Sequence, residues 1–134
     1  MARFHWNTEN AIFQPEIDAE HRELFRLSEE LSRTVEAGAD TQAISGAVQR
    51  LIAEVAAHFA HEERLMRAAG YSAYDWHKHE HDGARRRLQA LADQPRELLD
   101  YVAGWFQNHT GVADRMMAAS LRNAGRAQMI KAAS

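Results

Sequence analysis

The sequence predicts an all-α protein: an up-down-up-down four-helix bundle with an N-terminal arm and a short C-terminal helix. Three observations carry this. Four stretches repeat apolar residues at alternating spacings of four and three, which keeps one stripe of a helix against its neighbours. The two prolines, Pro15 and Pro95, sit where helices could begin, and Gly38 and Gly70 where two of the patterns end. No Asn-Gly or Asp-Gly turn stands between alternating runs, so no β-hairpin is signalled.

The first helix is expected over about 17–37, after Pro15 and before Gly38, with the seam Ile17, His21, Leu24, Ser28, Leu31, Val35. The second, about 41–69, is capped by Asp40 or Thr41 and ends at Gly70. Its seam is Ile44, Val48, Leu51, Val55, His58, Glu62, Leu65. The third, about 73–92, follows Ser72 with Asp75 three residues on, which reads as a capping box, and carries His77, His81, Ala84, Leu88, Leu91. The fourth, about 95–118, has Pro95 in its first turn and the seam Leu98, Val102, Trp105, His109, Val112, Met116. A fifth short helix is expected over roughly 119–132.

The 134 residues suit one domain, 1–134, large enough to bury a core without staples. Sixteen basic and nineteen acidic residues leave a net charge of −3 and no basic patch for nucleic acid. The run Arg85-Arg86-Arg87 reads as a solvated helix face. The absence of cysteine removes disulfides, thiolate zinc sites and iron–sulfur clusters, and fits a cytoplasmic setting. Neither a membrane span nor a leader peptide is expected.

The seams are apolar except at His21, Ser28, His58, Glu62, His77, His81 and His109. Burying one such group unpaired costs several kcal/mol, on the order of 2–7. Topology offers a common explanation. In an alternating bundle the starts of helices one and three share one end with the ends of helices two and four. The polar residues therefore converge on one layer, and the i, i+4 pairs His58/Glu62 and His77/His81 can each grip a common centre. Five imidazoles with carboxylates and no thiolate suit iron, zinc, copper or manganese, and they outnumber what one ion needs. The Glu-x-x-His pattern of carboxylate-rich di-iron bundles is absent. His5 in the arm, His61 beside the seam and His79 on the far face of helix three stand outside this set.

The motifs Ile17-Asp18-Ala19-Glu20-His21, His58-Phe59-Ala60-His61-Glu62-Glu63 with Met66 and Gly70-Tyr71, His77-x-x-x-His81 and Trp105-x-x-x-His109-x-x-x-x-Asp114 occur in this order. Together they resemble the hemerythrin family, in particular its bacterial stand-alone members. The resemblance implies two iron ions with an oxo or hydroxo bridge. His77, His81 and His109 would bind one iron and His21 and His58 the other, with Glu62 and Asp114 bridging both. The first iron would then have six ligands and the second five, leaving one position for dioxygen. Asp114 enters on the family's pattern alone, because it lies about 140° off an α-helical seam; Gly111 would ease a distorted turn before it. The implied function is reversible dioxygen binding for storage, transport or sensing, without a catalytic residue. The alternatives are a di-iron oxidase, peroxidase or nitric-oxide-handling enzyme, or a structural zinc bundle. Asp18 could orient His21 or cap its helix, and Leu24, Phe25, Phe59, Trp105 and Phe106 would surround the ligands. One departure stands out: the residue after the fourth-helix histidine, commonly isoleucine in the family, is Thr110.

Overall fold

The computed structural model describes residues 15–133, and those residues are helical with short turns and no strand. The expected N-terminal arm and His5 lie outside the described residues. Helix α1 runs Pro15–Glu36, α2 Thr41–Ala68, α3 Tyr74–Ala90 and α4 Pro95–His109. A π turn, Thr110–Asp114, then leads without a break into α5, Arg115–Ala133. Helix α1 lies against α2 and α4, and α2 also packs on α3. No described helix is long and apolar enough to cross a membrane.

The helix ends follow local chemistry. Gly38 and Gly70 adopt φ of 70° and 64°, the left-handed conformation that a side chain disfavours. Each ends its helix with the paired bonds of a Schellman motif: Gly38 N–H to Val35 O with Ala39 N–H to Thr34 O, and Gly70 N–H to Arg67 O with Tyr71 N–H to Met66 O. Asp40 caps α2, accepting from the Ala43 N–H at 2.8 Å. Pro95 opens α4. The expected Ser72/Asp75 capping box does not form. The Tyr74 N–H bonds back to Tyr71 O, so the helix starts later, and Ala73 takes the cap position without a side-chain bond. Asp75 is left in the first turn, where its charge still favours the helix N-terminus.

The core is in two parts. The larger holds Leu24 and Leu31 of α1, Leu51, Val55 and Phe59 of α2, Ala84 and Leu88 of α3, and Leu98, Val102 and Phe106 of α4. The smaller, at the far end, holds Ile17, Met66, Tyr71, Met117 and Ala118. Between them every helix of the bundle changes to polar residues.

Two seam expectations fail, for one reason. A uniform period puts Val112 and Met116 on the buried stripe, but they are 59% and 52% exposed, while Ala113 and Met117 are buried. The π turn accommodates one extra residue, so the stripe passes from 112 and 116 to 113 and 117. The fourth helix accordingly ends at His109 and the fifth begins at Arg115, earlier than expected from a uniform period. In α2 the stripe is wider than one row: Met66 is buried and Leu65 only partly so.

This phase shift sets a clear expectation. Met117→Ala should destabilise the metal-free protein by about 2–5 kcal/mol, as for a buried large side chain. Met116→Ala should change it by no more than about 0.5 kcal/mol. Urea unfolding of the two variants measures the difference.

Candidate metal centre

The polar layer draws from every helix of the bundle. His21 lies one turn into α1, between Ile17 and Leu24. His58 and Glu62 sit one turn apart in α2, and His77 and His81 one turn apart in α3. His109 closes α4. Asp114 ends the π turn, where i→i+5 geometry stacks it over His109 as an i+4 residue would stack in an α-helix. All seven are at most 4% exposed, with Glu62, His77, His81 and Asp114 at 0%. The structure thus brings together all seven residues singled out in the sequence, including Asp114. His61, by contrast, is only partly buried and His79 is exposed.

Two groups of ligand-type atoms form, each with its members within 4.8 Å of one another: Glu62, His77, His81, His109 and Asp114, and His21, His58, Glu62 and Asp114. In the first, His77 Nε2 and His109 Nε2 are 3.0 Å apart. Asp114 Oδ1 lies 3.1 Å from His77 Nε2 and 2.9 Å from His109 Nε2. Glu62 Oε1 is 3.0 Å from His81 Nε2. In the second, His21 Nε2 and His58 Nε2 are also 3.0 Å apart. Asp114 Oδ2 lies 3.3 Å from His21 Nε2, and Glu62 Oε2 3.4 Å from His58 Nε2. Each carboxylate therefore sends one oxygen to the three-imidazole group and the other to the two-imidazole group.

These distances test whether metal fits. Two ligand atoms at right angles around an ion, each bonded at about 2.1 Å, sit about 3.0 Å apart. The nitrogens match that spacing. All four carboxylate oxygens of Glu62 and Asp114, and His81 Nε2, are buried without a hydrogen-bond partner. Leaving such groups unpaired is costly, and cations at the two foci would satisfy them together. The residues present fit two metal ions.

Electrostatics of the protein alone point the same way. Burial, then the neighbouring Asp114, pushes the Glu62 carboxyl well above the usual range. Burial also works to raise Asp114, but contacts with His109, His21 and His77 outweigh it and hold that carboxyl well below its ordinary value. Burial lowers His58 and His81. Metal uptake would therefore displace a proton from Glu62.

Around this layer stand groups that the sequence reading left without a role. Glu20 accepts from His58 Nδ1 at 2.7 Å and from His61 Nδ1 at 2.5 Å. Glu63 accepts from His81 Nδ1 at 2.8 Å and pairs with Arg85 at 2.9 Å. Arg85 is thus not part of a solvated face; it is partly buried and lies over the Phe59 ring. The signal was present, since Glu20 and Glu63 each adjoin a seam residue in sequence. Only side-chain direction shows which imidazole each one meets. Aromatic rings fix two imidazoles further: Phe59 stacks on His81 at 4.0 Å between centroids and Trp105 on His109 at 4.2 Å. Asp18 is buried in the first turn of α1.

The family model for the hemerythrin HHE cation binding domain matches residues 13–121. The chain belongs to the hemerythrin family. Among its relatives, a myohemerythrin of Theromyzon tessulatum is 27% identical, covering 79% of this chain and 83% of that one. A bacteriohemerythrin of Aquifex aeolicus (strain VF5) is 29% identical, over 78% of this chain and 87% of that one. A bacteriohemerythrin of Ralstonia nicotianae is 34% identical over a shorter stretch, 59% of this chain and 64% of that one. A crystal structure of a point mutant superposes with a TM-score of 0.77 at 25% identity, covering 90% of this chain and 98% of its own. The hemerythrin fold and the buried His/Glu/Asp cluster described above thus occur together in this chain.

Substitution tests the layer directly. His58→Ala, His77→Ala and Glu62→Ala should each lower the metal bound per chain, whereas His79→Ala, altering an exposed side chain, should leave it unchanged. Metal analysis after loading and desalting gives the counts.

Proposed function

We propose that this hemerythrin binds dioxygen reversibly at two iron ions, for storage, transport or sensing. His77, His81 and His109 would hold one ion, His21 and His58 the other, and Glu62 and Asp114 would bridge them. The observation that carries this reading is the division of each carboxylate's two oxygens between the two nitrogen groups. It gives one position five protein donors and the other four. The position with fewer protein donors would leave room for a small ligand, and a reduced iron pair held there would supply the two electrons that dioxygen binding requires.

The chain's own contribution is placement. The two apolar clusters pack above and below the layer. Phe59 and Trp105 hold His81 and His109 in fixed planes. Glu20 and Glu63 fix which nitrogen of His58 and His81 faces inward.

The deciding experiment is a visible spectrum of the iron-loaded, reduced protein with and without oxygen. An absorption that appears on oxygenation and vanishes on deoxygenation, over repeated cycles, is expected. A protein that stays colourless would overturn the reading. Steady turnover of peroxide or nitric oxide would instead mark an enzyme.

Thr110 is 6% exposed and follows His109 directly. Its hydroxyl can donate to an anion or admit a water where isoleucine would present hydrocarbon. The oxygenated form should therefore decay to the ferric form faster in wild type than in Thr110→Ile at equal iron content. The measurement is the decay of the oxygenated absorption, and an unchanged or faster decay in the variant rules the hydroxyl out.

A further inference from the structure

The two groups of nitrogens are backed by different carboxylates. On the three-imidazole side His81 Nδ1–H donates to Glu63, whose charge is shared with the Arg85 guanidinium. On the two-imidazole side His58 Nδ1–H donates to Glu20, which is shared with a second imidazole, His61. Glu20, His58 and His61 border a surface cavity of about 330 Å³ together with Glu54, Ala57 and Arg64. Glu63 is 13% exposed and Glu20 33%.

From this arrangement we infer that Glu20 and Glu63 are positioning residues, each governing one of the two metal positions through a single imidazole. The inference rests on the two-metal reading given above. A carboxylate accepting from Nδ1–H sets the tautomer that leaves the Nε2 lone pair facing inward. It also fixes the ring plane and makes that nitrogen a stronger donor. Glu63 does this with a fixed cation, Arg85, at its back. Glu20 does it at the rim of an open cavity. The protein thereby makes its two metal positions unequal in their surroundings as well as in their number of imidazoles.

Glutamine separates this role from a packing one. It keeps the shape and an oxygen acceptor but removes the charge, whereas alanine removes all three. The probe is zinc, which is diamagnetic and needs no oxygen chemistry. Zinc is titrated into the metal-free protein against a chromophoric chelator, and imidazole ¹⁵N–¹H spectra are recorded on the loaded form. Wild type should take up two zinc ions and show hydrogen-bonded Nδ1–H signals for His58 and His81. Glu20→Gln should shift the His58 and His61 signals, leave the His81 signal in place and weaken one ion by roughly tenfold; Glu20→Ala should approach roughly a hundredfold. Glu63→Gln should shift the His81 signal alone and weaken the other ion. The metal-free glutamine variants should keep the helical content of wild type by circular dichroism. If both glutamine variants bind two ions as tightly as wild type, or if both disturb the same signal, the assignment is overturned. If wild type itself takes up fewer than two ions, the two-metal reading fails first and the inference with it.

Discussion

Ionisable groups buried among hydrocarbon are tolerated only when they share partners, and that constraint organises this molecule. Five imidazoles and two carboxylates cross the bundle in one layer, and the carboxylate oxygens have no hydrogen-bond partner among the described residues. An apolar layer here would be easier to fold. The sequence instead accepts a local cost, and the rest of the architecture contains it. The larger core secures one side, a smaller cluster closes the other, and stacked aromatic rings limit how the imidazoles can relax. Glu62 carries the conflict most visibly: with Asp114 already ionised beside it, its own charged form is strongly disfavoured until a cation arrives.

The π turn is the second device on which the layer depends. A regular helix carrying His109 inward would carry Asp114 well round to the side. One added residue in the turn Thr110–Asp114 places both in the same layer and re-phases everything after it. Met117 and Ala118 then reach the smaller cluster instead of Met116. One irregularity thus completes the polar layer and also positions the hydrophobic lid beyond it. Such turns tend to lie at functional sites because a regular helix lacks the geometry they provide.

Most of this was legible in the residues. Spacing in four stretches gave the bundle, and helix direction alone put His21, His58, Glu62, His77, His81 and His109 in one layer. Periodicity failed where the backbone left the α-helical period. It misplaced Val112 and Met116 and offered no route to Asp114, which entered only through resemblance to a family motif. The capping box at Ser72 failed for a related reason, since a preceding turn moved the start of α3. Glu20, Glu63 and Arg85 were invisible as partners because their roles depend on which neighbouring helix they lean toward. One-dimensional spacing does not encode that.

The smaller apolar cluster has a consequence for the timing of metal exchange. Glu62, His77, His81 and Asp114 have no solvent exposure, so an ion bound among them would leave most readily when some part of the bundle opens. The larger core spans four helices, whereas among the described residues the far end is held by Ile17, Met66, Tyr71, Met117 and Ala118, with partly buried neighbours around them. Local opening favours the region with least buried apolar surface. That end includes the start of α5, which follows directly from Asp114. Release of metals held there would thus be tied to the breathing of one helix, and their residence time would be a property of hydrocarbon packing as much as of ligand affinity.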